Sequence, residues 1–75
     1  MVFKEQKRQK WSFDREFKGR KNNFVASVHW SDFNKRWWFL IKYPDDKVYN
    51  SLWDDGSYNT QDECEKAAET YVDMH

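Results

Sequence analysis

Apolar and polar residues alternate along much of this chain, and two stretches break the rhythm. Between residues 24 and 30, Phe24, Ala26, Val28 and Trp30 fall on one face and Val25, Ser27 and His29 on the other. That period of two predicts a strand. The first break is Trp37-Trp38-Phe39-Leu40-Ile41, an unbroken apolar run bracketed by Lys35, Arg36 and Lys42. A half-buried strand alternates, so an unbroken run predicts a central strand, spanning 35–43, with something against each side. The second break is a change of period. Cys64, Ala67, Ala68, Tyr71 and Val72 recur at helical spacing and make one apolar stripe. Thr60 followed three residues later by Glu63 forms a capping box. Asp62 and Glu63 suit the positive end of the helix dipole. A helix is predicted over 60–73.

The remaining segments are weaker. Residues 1–10 are basic and polar and read as an arm or a frayed helix. Trp11, Phe13 and Phe17 share a face across 11–17. This favours a strand there, with a short helix from Ser12 to Gly19 as the competing assignment. The stretch Lys18-Gly19-Arg20-Lys21-Asn22-Asn23 has the Gly and Asn that a turn with positive φ requires. Residues 31–34 form a hairpin loop and Pro44-Asp45-Asp46 a turn. Residues 47–53 form a further strand, and 54–57 a loop. Short loops make successive strands antiparallel. The expected fold is therefore α+β in two layers: a three- to four-stranded antiparallel meander (11–53) packed by one C-terminal α-helix (60–73).

With 75 residues the chain is expected to form a single domain. A chain of this size buries only about 60% of its unfolded surface. Five Trp, four Tyr and six Phe offset that, because large rings bury the most area per residue. One cysteine excludes an internal disulfide and a Cys-based zinc site. No apolar run approaches the ~18 residues of a membrane span. The N-terminal segment has no apolar core of a signal peptide. A complete gene product starting at Met1, located in a reducing cytoplasm, is the expectation.

The net charge of zero conceals a division. Residues 1–42 carry 11 Lys/Arg and 4 acids, and residues 43–75 carry 2 Lys and 9 acids. Asymmetry of this kind suggests an electrostatic partner. Chemistry is scarce by comparison. His29 with Asp32 is the best dyad available, and a structural histidine is the better reading. Cys64 lies in the helix stripe, so burial is expected. Its acidic neighbours oppose a thiolate. Asp45-Asp46 and Asp54-Asp55 fit no calcium-loop spacing, and Gly19 and Gly56 stand alone, so no phosphate-cradling loop is present. Neither enzymatic activity nor a cofactor is expected.

The aromatic surplus points instead to binding. If Trp37, Phe39 and Ile41 meet the helix, the other sheet face carries Ser27, His29, Arg36, Trp38 and Lys42. From residues 47–53, either Tyr49, Ser51 and Trp53 or Val48, Asn50 and Leu52 join that face. Such a surface suits base stacking with phosphate contact. It equally suits a protein interface, where Trp, Tyr and Arg dominate. A third arrangement folds the N-terminal segment over it and buries Trp38 beside Trp11, Phe13 or Phe17. The candidate binding set is Lys7, Arg8, Lys10, Arg20, Lys21, His29, Arg36, Trp38 and Lys42. Asp62, Glu65, Glu69 and Asp73 form a candidate acidic helix face.

Tyr58, Thr60 and Glu63 resemble the signature that opens the helix in the sheet-plus-helix DNA-binding domains of phage integrase arms and AP2-type factors. Cys64 stands where those have Ala, the basic Gly-Lys-Arg hairpin is absent, and aspartates crowd the loops. The general character is similar to short phage accessory proteins. The expected function is a non-catalytic binding protein, monomer or homodimer. It would dock on a host protein or nucleoprotein complex that handles nucleic acid, as an inhibitor or accessory factor. The alternative is a module that binds DNA or RNA directly.

Overall fold

Sequence neighbours are sheet neighbours throughout the structure, a computed structural model that describes residues 1–7 and 13–75. Five strands run in order: β1 (Lys4–Glu5), β2 (Arg15–Lys21), β3 (Phe24–Ser31), β4 (Arg36–Lys42) and β5 (Val48–Asn50), each antiparallel to the next. A 3-10 turn (Ser51–Asp54) and one helix, α1 (Gln61–Asp73), complete the chain. The α+β class and the C-terminal helix agree with expectation. The sheet has one strand more than the upper expected number.

Register partitions the side chains. Trp30 faces Trp37, Val28 faces Phe39 and Ala26 faces Ile41, and all of these point toward α1. His29–Trp38, Ser27–Leu40 and Val25–Lys42 occupy the opposite face. Ala26, Val28, Ile41, Cys64 and Ala68 are fully buried between the layers. The small Cys64 and Ala68 let the helix approach a sheet of bulky rings. A fully buried Val or Ile contributes about 1.5–3 kcal/mol through burial alone. Near the helix C-terminus, Tyr49 stacks on Tyr71 at 4.4 Å, and the Tyr43 and Tyr71 hydroxyls share a hydrogen bond.

Three assignments from sequence need correction. Residues 1–10 were expected to form an arm or a frayed helix, yet Lys4–Glu5 is a strand paired with Lys18 and Phe17. Gly19 makes this possible. A Cβ there would lie 2.8 Å from Met1 Cγ and 2.8 Å from the Val2 carbonyl, so only glycine admits the N-terminus so close. Met1 and Phe3 pack on the core, and the Met1 ammonium meets Glu69 at 3.1 Å.

The strand placed at 11–17 begins later, at Arg15, and Gly19 lies inside it. Asn22 and Asn23, with φ of 53° and 68°, make the two-residue hairpin turn. Residues 11 and 12 of the expected strand lie outside the described residues.

The strand placed at 47–53 stops at Asn50. Its side chain accepts from Leu52 N, while Ser51 Oγ accepts from Phe39 N at 2.9 Å and donates to the Gly56 carbonyl at 2.8 Å. A serine side chain thus takes the place of the next ladder bond, and the backbone turns away. The predicted helix agrees to within one residue, with Thr60 Oγ1 accepting from Glu63 N at 3.2 Å.

Candidate functional site

The sheet face opposite α1 is organised in cross-strand rows. The row nearest the β2–β3 turn is Arg20, Val25, Lys42, Val48; the next is Lys4, Lys18, Ser27, Leu40, Asn50; the third is Glu16, His29, Trp38. Two residues separate adjacent rows on one strand, about 7 Å. The first two rows bring four cations together. Lys4, Lys18, Arg20 and Lys42, with Val2, Gln6 and Val25, line a shallow groove of about 500 Å³. Their counter-charges are sparse. Lys18 lies 3.9 Å from Glu16 and Lys42 lies 3.4 Å from Asp46, both solvent-exposed pairs of small energetic weight. Among the described residues, no carboxylate pairs with Lys4 or Arg20.

In the third row, the rings of His29 and Trp38 stack at 4.2 Å with 14° between their planes. His29 Nε2 shares a hydrogen bond with Ser27 Oγ at 2.9 Å, which fixes the ring. Burial is the main influence on this imidazole and holds its pKa below the ordinary histidine value, so it is neutral near pH 7. Asp32, which a dyad with His29 would need, is engaged by Lys35 at 2.9 Å. Among the described residues, no side chain of the N-terminal segment named as a possible cover lies over Trp38, which is half-buried. Met1 and Phe3 lie on the helix side, Phe17 belongs to the core, and Phe13 is exposed. Trp11 lies outside the described residues.

The other sequence-derived candidates fall in different places. Lys7 is exposed just past β1; Arg8 and Lys10 lie outside the described residues. Arg20 and Lys42 are on the open face. Lys21 points to the helix side and bridges Asp73 at 2.7 Å and Glu69 at 3.1 Å. Arg36 is a clamp: its two terminal nitrogens donate to Asn59 Oδ1 at 2.7 Å and to the Ser57 carbonyl at 3.0 Å. On the helix, Asp62 pairs with Lys66 at 3.0 Å and Glu65 accepts from Gln61 at 2.6 Å. With Glu69 and Asp73 held by Lys21, the acidic helix face is largely neutralised internally.

No family model, curated protein or solved structure matches this chain. What the face can hold follows from its geometry alone. Thr60 and Glu63, two of the three residues behind the likeness to integrase-arm and AP2-type domains, serve here as a helix cap. The third, Tyr58, bridges to Trp37.

Lys4 and Lys18 were missed as site residues. The signal for Lys18 was present: with the strand framed from Arg15, Glu16, Lys18 and Arg20 alternate with Phe17 and Gly19. Cys64 is buried, and burial, with Glu65 nearby, pushes its thiol up to about 12, so no thiolate nucleophile forms there at neutral pH. Among the described residues, no group of three His, Cys, Asp or Glu is placed to hold a metal ion, and no helix is long and apolar enough to cross a membrane.

Proposed function

We propose that this chain is a small non-catalytic protein that binds nucleic acid through its open sheet face. One observation carries the reading: Lys4, Lys18, Arg20 and Lys42 line one groove on a face that no described element covers, while the acids of α1 lie on the far side. Cations clustered on one surface bind phosphates by releasing condensed counterions, so affinity falls with salt. Titrating labelled DNA or RNA at several salt concentrations tests this. The log–log slope should be about −0.7 to −0.9 per phosphate contacted, and Arg20→Ala with Lys42→Ala should flatten it. Absence of binding at low salt would overturn the proposal. Like-charged faces oppose self-pairing, so a monomer is proposed; sedimentation that shifts with concentration would contradict it.

A second reading has its own observation. At the opposite sheet edge, Leu52 and Trp53 are 44% and 68% exposed beside Asp54 and Asp55. An aromatic side chain among acids suits a basic protein surface. This keeps the phage-type accessory or inhibitor role, acting in the cytoplasm on host defence, restriction or transcription machinery. Capture of such a complex that survives nuclease and is lost in Trp53→Ala, with nucleic-acid affinity unchanged, would favour it.

A further inference from the structure

We infer that the nucleic acid on the open face is single-stranded, with one base stacked on the Trp38–His29 pair and the adjoining phosphates over the two cation rows. This rests on the nucleic-acid reading above and adds the form of the ligand.

Width is the first ground. At the level of Trp38 five backbones lie side by side. Gln6 donates to the Glu16 carbonyl at 2.7 Å, Glu16 pairs with His29, and His29 pairs with Trp38. On the outer side, Tyr58 exchanges two hydrogen bonds of 2.8 Å with Trp37. Neighbouring backbones in a sheet are about 4.8 Å apart, so four gaps span about 19 Å. The major groove of B-DNA is about 12 Å wide and admits a helix or a two-stranded ribbon. A face this broad cannot enter it. A duplex would rest against the rims, and the rings in the middle of the face would not reach base edges. A single strand has no such barrier, because its bases turn outward onto aromatic side chains.

Spacing is the second ground. Lys18 is one row from the ring pair, and Arg20 and Lys42 are two rows away, at about 7 Å per row. A backbone leaving a base on Trp38 toward the β2–β3 turn therefore crosses both cation rows. Glu16, 3.9 Å from both His29 and Lys18, disfavours phosphate at the β2 end of the ring row and sets that direction.

The test is anisotropy of a labelled single strand of about 15 nucleotides and of the same sequence as a hairpin duplex, at low salt. Wild type should prefer the single strand by about tenfold or more. Trp38→Ala should lose about tenfold on the single strand and little on the duplex, and Trp38→Phe should keep most of the affinity. The wild-type preference needs no variant, so it decides the matter even if Trp38→Ala does not fold. Equal or tighter duplex binding would overturn the single-strand inference and leave nucleic-acid binding standing. So would a folded Trp38→Ala that weakens both ligands equally. No binding to either ligand would overturn both.

Discussion

The two faces of one sheet, built from alternate residues of the same strands, treat charge in opposite ways. On the helix side the cations are matched. Lys21 holds Glu69 and Asp73, the N-terminus holds Glu69, and Arg15 meets Glu5 at 2.9 Å while lying over the Phe17 ring. On the open side Lys4 and Arg20 have no ion-pair partner among the described residues, and Lys18 and Lys42 have loose ones. The basic and acidic halves of the sequence meet at the seam between sheet and helix, through Lys21 and the N-terminus on one side and Glu69 and Asp73 on the other. The open face keeps its cations, and the balancing acids lie elsewhere, Asp54 and Asp55 among them.

The largest expected effect compares adjacent residues of β4. Ile41 is fully buried under α1, whereas Leu40 is half-buried on the open face. Ile41→Ala should cost about 2–5 kcal/mol. A domain of this size has about 4–11 kcal/mol in total, so this variant should be close to unfolding. Leu40→Ala should cost clearly less. Urea unfolding of both variants checks it. Equal losses would mean that something covers the open face, and the contrast between the faces would fail.

Next come the two places where local chemistry replaced regular pairing. Ser51→Ala leaves the buried Phe39 N–H without its acceptor, and a lost partner of this kind costs about 1–3 kcal/mol. Gly19→Ala forces Met1 and Val2 off β2, an overpacking of about 1–3 kcal/mol. Removing Met1 and Val2 should rescue much of the Gly19→Ala defect, as measured by thermal melts. No rescue would mean that the N-terminus does not lie against β2.

These positions also show where the sequence was legible and where it was not. β3 and α1 were readable because each repeats its period over seven or more residues, and β4 because its unbroken apolar run marks a central strand. β1 has two residues, too few for any period. β2 was misframed because Gly19 was read as a turn, when its role is to admit the N-terminus. That error hid Lys18. Ser51 looked like another strand position, since nothing local shows that its hydroxyl bonds across to Phe39. Lys21 and Arg36 were read as presented to a partner. Their real partners, Glu69 and Asp73 for one and Ser57 and Asn59 for the other, are remote in sequence and adjacent only after folding.

The smallest expected effect tests the seam itself. The hydrogen bond from Lys21 holds Glu69 below its ordinary value of 4.5, and the hydrogen bonds to Asp73 and then Glu69 hold Lys21 above 10.5. A carboxylate with a depressed folded pKa stabilises the fold above its unfolded value, and that contribution fades as pH falls through the folded one. A lysine with a raised folded pKa stabilises the fold below its unfolded value and loses this as pH rises through the folded one. The seam is therefore fully active between about pH 4.5 and 10.5. All three side chains are partly exposed, so salt should weaken it. Melting temperature against pH for wild type and Lys21→Met reads this directly. The deficit of the variant should be widest across the neutral plateau, narrow on both flanks, and shrink in high salt. A deficit that does not vary with pH or salt would show that Lys21 acts through packing of its aliphatic stem, and the helix-side cations would no longer be distinguished from the open-face ones by charge pairing.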